Sequence, residues 1–365
     1  MELFDVLLAS ALNGKSSGGN AADPNKPVKF FDYDGTLVYS YTPEEFAELS
    51  ALPANPSHDG LTAQGWNWSL SDAKTYVAKY GALNVGQMYI TSDEKTRIKI
   101  KLEDGRTQPV LGLGINGTVD VDWGDGTARG TMTGSNISTL VQLQHVYASA
   151  GEYTIVLGVT GSISFLGDST YKSMLMAKAG VTSDTANESK VYQSSIQEIC
   201  IGSGVTSIGA SAFYNCYSLA SVTIPDSVTS IGESTFSYCY LLATVTIPDS
   251  VTSIGDRAFS NCYLLAYVTI PYGVTSIRNR VFVNCNSLAS VTIPDSVTSI
   301  DIYAFSSSAF TFIKFESGTP PTVSNSNAFY FVPTDCIIYV PSGSLTAYKS
   351  AANYPNPSTY TYVGY

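Results

Sequence analysis

Charge is scarce in this 365-residue chain, in which Asp, Glu, Lys and Arg together make up 13% of the residues. Only 19 residues are Lys or Arg, against 30 Asp or Glu, and no basic run is present. Binding of nucleic acid phosphates needs clustered basic residues, so no nucleic acid partner is expected. No apolar run approaches the roughly 18–20 residues of a bilayer-spanning helix, so no membrane span is expected.

Catalytic motifs are equally sparse. The chain has two histidines, His58 and His145, and no G-x-S-x-G, P-loop, dinucleotide fingerprint or H-E-x-x-H sequence. We therefore predict a non-enzymatic protein with no catalytic residues, no cofactor and no metal. The N-terminus, MELFDVLLASALNG, lacks the early basic residues of a secretory signal, so no signal peptide is predicted.

Ser, Thr, Gly and Tyr are abundant instead, which suits β-rich folds with uncharged polar surfaces. A chain of 365 residues is too long for one ordinary core. We predict a mainly β, multidomain protein. Its parts are an anchor helix and linker (1–27), a small α+β domain (28–92), a β-sandwich (93–161) and a capped solenoid (162–365).

A repeat of 23 residues dominates the C-terminal half. Four ladders keep this register: Phe213, Phe236, Phe259, Phe282 and Phe305; Cys216, Cys239, Cys262 and Cys285; Leu219, Leu242, Leu265 and Leu288; Val222, Val245, Val268 and Val291. Each unit has too few apolar residues to close a core alone. Stacked coils are therefore expected to bury a continuous core together.

Each repeat unit predicts two strands and a helical turn. The V-T-I-P and V-T-S-I pieces are short β-branched runs, typical of strands. Pro ends the first strand, and Gly209, Gly232 or Gly255 turns the chain after the second. The A-F-x-x-C-x-x-L piece has helical spacing and predicts one helical turn on the opposite face.

The full pattern, I-P-x-x-V-x-x-I-G-x-x-A-F-x-x-C-x-x-L, resembles the BspA-type leucine-rich repeats over about 199–315. The chain after it resembles the degenerate cap of that family, with Ser308 and Thr311 replacing the repeat Cys and Leu. Members are mostly surface adhesins and host-contact proteins. The resemblance therefore implies binding rather than catalysis.

The six cysteines could form disulfides or bind a metal. Four of them occupy the repeat position itself, and no C-x-x-C pair is present. A free Cys behaves as a small buried hydrophobe. This favours reduced, inward-facing thiols over disulfide pairing, and pairing over a metal site.

The middle segment carries VDVDWGDGT at 119–127, followed by H-x-Y at 145–147 and G-x-Y-T at 151–154. These sequences resemble the signature of polycystic-kidney-disease (PKD) type β-sandwiches, which are usually spacers or sugar- and protein-contact modules. Three nearby acids, Asp120, Asp122 and Asp125, could suggest calcium. Their spacing differs by one residue from the D-x-D-x-D-G pattern of calcium ligands, which favours Asp residues that form a turn.

FFDYDGTLV at 30–38 resembles the start of haloacid-dehalogenase-type phosphatases, in which Asp32 would be the nucleophile and Asp34 the acid–base, with magnesium. The same residues also form two β-prone runs joined by a tight turn. Helices predicted at a Thr42–Glu45 capping box and near 70–80 are followed by β patterns, not by alternating strands and helices. We favour the hairpin, with the phosphatase as a remote alternative.

Trp66 and Trp68 are expected in the core of this small domain, with a carbohydrate platform as the alternative.

Tyrosine recurs between the ladders. Stacked coils would align the equivalent positions as a stripe, and the candidate ligand-binding residues are Tyr214, Tyr217, Tyr238, Tyr240, Tyr263, Tyr267 and Asn286. Tyr and Asn are typical of adaptable binding surfaces. The alternative is that stacked rings only shield the repeat and strengthen contact between coils.

The N-terminus suggests a docking peptide. Apolar residues at helical spacing precede a flexible linker, and the predicted anchor residues are Leu3, Phe4, Leu7, Leu8 and Leu12. A small anchor before an adhesive module, without a signal peptide, resembles structural proteins of bacteriophage virions.

The first hypothesis is therefore a virion-associated fibre, tail or head-decoration protein. It would be anchored to other virion subunits through residues 1–20 and contact a protein or glycan on a bacterial surface through its repeats. The alternative is a cell-surface adhesin of the BspA type.

Overall fold

The structure is a computed structural model that describes residues 22–23, 25–32, 37–57, 61–66, 70–91, 93–166, 175–176 and 193–365. Within these ranges a small α+β unit, a long-stranded antiparallel sheet and a solenoid follow one another. The predicted mainly β architecture with a C-terminal solenoid is confirmed. Among the described residues, no helix is long and apolar enough to cross a membrane.

The small unit contains one four-stranded sheet. Strands β1 (Val28–Phe31) and β2 (Leu37–Tyr41) pair antiparallel, as the predicted hairpin requires. Strand β4 (Leu83–Thr91) pairs parallel with β1, and β3 (Leu61–Trp66) pairs antiparallel with β4. Asp32, directly after β1, is buried, whereas Asp34 lies outside the described residues.

Two helices accompany this sheet, both where they were predicted. Helix α1 (Pro43–Ala47) begins at the capping box, in which the Glu45 N–H donates to the Thr42 hydroxyl at 3.2 Å. Helix α2 (Leu70–Tyr80) is followed by Gly81, whose φ of +76° suits a helix end.

Aromatic rings fill the core of the small unit. The Trp66 ring meets Phe30 edge-on at 5.0 Å, and its Nε1–H donates to the Pro53 carbonyl at 2.8 Å. The predicted core position of Trp66 is confirmed, while Trp68 lies outside the described residues.

The middle segment forms one antiparallel sheet in the order β5-β8-β6-β7. Its strands are β5 (Thr96–Leu102), β6 (Val110–Asp122), β7 (Gly130–Gln144) and β8 (Gly151–Phe165), and the short β9 (Leu175–Met176) pairs with the start of β6.

The long strands of this sheet are strongly bent. Gly130 and Leu143 lie near opposite ends of β7, yet a Cβ on Gly130 would sit 2.5 Å from the Leu143 side chain. Gly117 and Gly161 pair across β6 and β8 with φ of +126° and +106°, a conformation that favours glycine. The sheet therefore folds back over itself, and the resemblance to PKD sandwiches stays a prediction.

The solenoid has about seven coils. The first strands of successive coils are β10 (Ile196–Cys200), β12 (Ser221–Thr223), β14 (Thr244–Thr246), β16 (Tyr267–Val268), β18 (Ser290–Ile293), β20 (Phe312–Phe315) and β22 (Ile337–Val340). The second strands are β11 (Val205–Ile208), β13 (Ser230–Ile231), β15 (Ser253–Ile254), β17 (Ser276–Ile277), β19 (Ser299–Ile300) and β21 (Thr322–Val323). Most equivalent strands pair parallel with the next coil, which confirms the predicted strands.

The C-terminal cap closes the last coil. Helix α3 (Leu345–Ser350) precedes β23 (Thr361–Gly364), which pairs parallel with β22. Tyr348, Tyr354 and Tyr362 each donate a hydroxyl hydrogen bond of 2.8–2.9 Å to a backbone carbonyl, so these rings are structural.

The predicted helical turn of the repeat is wrong. The A-F-x-x-C-x-x-L piece and the residue before it form hydrogen-bonded turns with two left-handed residues per coil, such as Ser234 (φ +54°) and Tyr238 (φ +65°). Alternate N–H groups bond to the next coil, since Ser234 donates to Asp256 and Phe236 to Ala258, both at 2.8 Å. Left-handed residues interrupt an α-helix, and backbone hydrogen bonds between coils take the place of those within a helix.

The inward side chains form the predicted ladders. All six cysteines lie among the described residues, and they are buried and form no disulfide, as expected for core thiols. The Cys262 thiol donates to the Phe236 carbonyl at 3.2 Å, and Ser308, at the Cys position, donates to the Phe282 carbonyl at 3.0 Å. Burial raises the pKa of the Cys262 thiol well above its usual range, which disfavours the reactive thiolate.

Glycines after the second strands allow coils to approach closely. A Cβ on Gly232 would lie 2.5 Å from the Ala210 nitrogen, and one on Gly255 would lie 2.5 Å from the Glu233 nitrogen. Neither glycine has positive φ. Their role is therefore coil spacing rather than the special turn conformation that glycine usually provides.

The middle sheet and the coils share one hydrophobic core. Strand β5 pairs antiparallel with β10 and β8 pairs parallel with β11, so two adjacent strands extend both rows of the solenoid. A single buried cluster includes Ile98 at its start and Tyr362 at its end. The predicted domain boundaries stay a prediction. The hydrophobic core, however, is continuous from the middle sheet into the solenoid, where a boundary between residues 161 and 162 was predicted.

The small unit packs on the outward side of the first strands. In β20, Ile313 points into the solenoid core, whereas Phe312 joins the buried cluster that contains Phe30. Ile337 and Tyr339 of β22 pack against the same cluster.

Candidate functional site: a tyrosine patch

Five tyrosines of the first three coils form one surface, called here the tyrosine patch: Tyr214, Tyr217, Tyr238, Tyr240 and Tyr263. The Tyr217 and Tyr240 ring centroids are 4.9 Å apart at 18°, and those of Tyr240 and Tyr263 are 4.8 Å apart at 4°. Because parallel strands lie about 4.8 Å apart, equivalent residues of successive coils stack face to face.

A second pair of rings widens this stack. Tyr214 and Tyr238 meet edge-on at 5.5 Å, and Tyr238 also contacts Tyr240 at 6.1 Å. All five side chains are half-buried. Burial, together with the neighbouring phenols, raises the pKa of Tyr240 to about 12, so this ring stays neutral at ordinary pH.

The backbone of Tyr238 is strained. Its φ is +65°, and the equivalent residues of neighbouring coils, Asn215, Asn261 and Asn284, have φ of +59° to +61°. Asn tolerates this left-handed region because its short amide side chain can hydrogen-bond locally. A bulky ring there is an outlier that costs of order 1–3 kcal/mol. The second coil therefore carries a tyrosine where its neighbours carry the easier residue.

The patch contains no charged side chain. Leu241 and Leu264, which follow Tyr240 and Tyr263, are also half-buried and add apolar surface. Rigid rings with apolar neighbours suit contact with an uncharged ligand surface.

Two of the predicted stripe residues differ from the rest. Tyr267 lies in the first strand β16, is only 8% exposed, and does not belong to the patch, so its placement on this surface was wrong. Asn286 occupies, in the next coil, the position equivalent to Tyr263, and it is exposed. Whether the remaining residues bind a ligand stays a prediction.

An exposed aromatic pair escaped the sequence prediction. Tyr330 and Phe331 are 49% and 72% exposed, and their rings lie 4.0 Å apart. Phe331 has a φ of +59°, like Tyr238. The core Phe329 stacks on Phe305 at a spacing of 24 residues rather than 23. An alignment on the 23-residue period therefore does not reveal the exposed pair of Tyr330 and Phe331.

The acidic turn of the middle sheet is a structural element. Asp122 accepts a hydrogen bond from the Gly124 N–H at 3.0 Å, and Asp125 accepts one from the Thr127 N–H at 3.1 Å. His145 Nε2 lies 2.7 Å from Asp125. These contacts confirm turn-forming Asp, and the described residues hold no group of three or more potential metal ligands of the His, Cys, Asp or Glu type.

Acid is expected to weaken this turn. Burial opposes ionisation of Asp125, but hydrogen bonds from Thr127 and His145 outweigh it and hold the pKa of Asp125 at about 2. A folded-state pKa below the ordinary value stabilises the fold above about pH 4, and this stabilisation disappears as the pH falls towards 2. We expect Asp125→Asn to lower the thermal midpoint at pH 7, with a smaller difference from the unsubstituted protein at pH 2. The exposed Asp104→Asn serves as a control, and a pH-independent difference for Asp125→Asn would contradict the expectation.

The predicted anchor residues Leu3, Phe4, Leu7, Leu8 and Leu12 lie outside the described residues.

Known proteins share the repeat region. Residues 185–348 match the family model of the BspA type leucine rich repeat region in six copies, and the coils of the solenoid described from residue 193 onward follow these repeats. No curated protein matches the chain.

Two similar solved structures are each 24% identical. The first, a leucine-rich repeat protein from Bacteroides ovatus, has a TM-score of 0.27, and the match covers 42% of this chain and 58% of that one. The second, a leucine rich cell surface protein from Faecalibacterium prausnitzii, has a TM-score of 0.19, with 44% and 64% covered. The chain thus spans less than two thirds of either.

Proposed function

We propose that the protein is a non-enzymatic recognition protein of a cell surface and that the tyrosine patch binds a neutral protein or glycan. The single observation that carries this proposal is the conformation of Tyr238. A residue that strains the backbone persists in a marginally stable protein when it contributes something other than stability. The BspA-type repeats support the surface location, since proteins with such repeats are mostly adhesins.

The geometry favours contact with the edges of the rings. The faces of Tyr217, Tyr240 and Tyr263 cover one another in the stack, so a ligand meets mainly ring edges and hydroxyl groups. The next coil has Asn286 in place of a fourth tyrosine, so the row of equivalent tyrosines ends at Tyr263. The binding surface is therefore a row of ring edges and hydroxyl groups, and salt is expected to change its affinity little because no charged side chain takes part.

Substitution of Tyr238 separates binding from stability. We expect Tyr238→Asn to keep or raise the thermal midpoint, because Asn suits the left-handed backbone, and to weaken binding at least several-fold, because Tyr is a frequent hot-spot residue. Fluorescently labelled protein on a glycan array and on whole bacterial cells would provide the binding readout.

Tyr272→Asn is the matched control, since Tyr272 is 61% exposed and lies outside the patch. It should leave binding unchanged. The proposal fails if Tyr238→Asn and a Tyr217→Ser, Tyr240→Ser, Tyr263→Ser triple variant, all folded, bind as well as the unsubstituted protein.

A virion location is the finer hypothesis, favoured by the apolar residues Phe4, Leu8 and Leu12 at helical spacing. Deletion of residues 1–20 is expected to abolish incorporation into phage particles, measured by immunoblotting of purified particles, without changing the thermal midpoint. A deletion variant that is incorporated normally, or a full chain absent from particles, would leave the bacterial cell-surface adhesin as the explanation.

A further inference from the structure

Strand β7 is an unusual sheet edge. Among the described residues it pairs only with β6, so its other side presents backbone N–H and C=O groups without a neighbouring strand. The short β9 pairs with Val110 and Leu111 of β6, the residues that also face the end of β7, and must therefore lie on the opposite edge of β6.

This edge lacks most of the features that usually prevent strand pairing. Its 15 residues, GTMTGSNISTLVQLQ, include no Lys, Arg, Asp, Glu or Pro. Natural edge strands are commonly protected by charge, proline, a bulge or short length. In β7 only an irregularity after Asn136 interrupts the edge, which leaves a regular stretch over 130–136.

The composition of this stretch suits pairing with itself. In an antiparallel pair of two identical strands centred on Thr133, Thr131 would face Ser135 of the second copy and Thr133 would face its own counterpart. Thr–Thr and Thr–Ser are favourable cross-strand pairs, and no like charges would meet. Thr131, Thr133 and Ser135 are all exposed, so their side chains need not leave the core to reach a partner.

We propose that two copies of this chain associate through antiparallel pairing of residues 130–136 of β7. The contact is isologous, because the same stretch is used on both copies, and it continues the sheet of one copy into that of the other. An interface this small lies at the weak end of protein–protein contacts, so the dimer forms reversibly as the concentration rises.

Sedimentation velocity over a range of concentrations tests the association on the full chain. We expect the average mass to rise from one copy towards two, and Ser135→Lys to remain a monomer at the highest concentration, because charge on an edge blocks pairing. Asn116→Lys is the matched control. Asn116 faces Ser135 directly but lies in β6, which is paired on both sides, so this variant should associate like the unsubstituted protein.

A single introduced cysteine tests the register without adding charge. Directly opposite residues have Cα atoms about 4.5–5.5 Å apart, within the range of a disulfide, and the six native thiols are buried. Thr133→Cys is expected to form a disulfide-linked dimer roughly tenfold faster than Asn116→Cys, because pairing raises the effective thiol concentration. A chain that stays monomeric throughout, association of Ser135→Lys equal to that of the unsubstituted protein, or equal cross-linking of the two cysteine variants would each overturn the proposal.

Discussion

Replacement of Phe259 by alanine is expected to lower the free energy of unfolding by about 3–5 kcal/mol. Phe259 is fully buried and stacks between Phe236 at 5.3 Å and Phe282 at 5.6 Å. Removal of the ring leaves a cavity between two coils whose spacing is fixed by backbone hydrogen bonds, so the neighbours have little freedom to fill it. The loss should be visible as a shift of the urea midpoint.

Phe331→Ala is the control for this substitution. It removes the same ring from a site that is 72% exposed, where a change within about 0.5 kcal/mol is typical. Because each coil depends on its neighbours, Phe259→Ala should also weaken the coils beyond it. Hydrogen exchange would show faster amide exchange in coils two to four, and exchange that rises only at Phe259 would argue against this coupling.

The second large effect is expected at Gly255. An added Cβ would lie 2.5 Å from the Glu233 nitrogen and 2.6 Å from the Gly232 carbonyl carbon. Both atoms belong to the backbone of the preceding coil and cannot rotate away, so the coils must separate. We expect Gly255→Ala to cost about 1–3 kcal/mol, the usual range for overpacking, measured as a lower thermal midpoint.

Gly343→Ala is the matched control, since nothing lies within 4 Å of a Cβ built there and its φ is not positive. It should leave the midpoint unchanged or raise it slightly, because alanine restricts the unfolded chain. Arg278 and Asp301 fill the equivalent position in later coils, and the row of second strands is interrupted between β15 and β17. Equal midpoints for the two variants would show that the early coils can also widen.

Much of the solenoid was predictable because its information is local and repeated. Val222 and its counterparts define an inward strand position in every unit, and Phe236 and Cys239 recur at fixed offsets from it. The helical turn was predicted wrongly because the spacing of Phe236, Cys239 and Leu242 also fits a helix. The bonds from one coil to the next that favour turns over a helix have no signature within a single unit.

The candidate site was predictable in part. Register aligned Tyr217, Tyr240 and Tyr263, but the burial of Tyr267 depends on its place in a first strand, as its buried equivalents Ser221 and Thr244 indicate. The strain at Tyr238 is a property of the backbone. The recurrence of Asn at the same position in three other coils was the only signal of it in the sequence, because Asn is the residue most tolerant of left-handed backbone after Gly.

The packing of the small unit against late coils has a mechanical consequence. Phe312 and Phe30 share one buried cluster, so an early part of the chain is fastened to coils near its end. The coils that carry Phe312 and Tyr339 cannot unravel under a tensile load until they separate from the small unit. Each coil then releases about 23 residues, or about 80 Å of extended chain. The molecule should therefore resist weak pulling as a stiff body and lengthen stepwise above a force threshold.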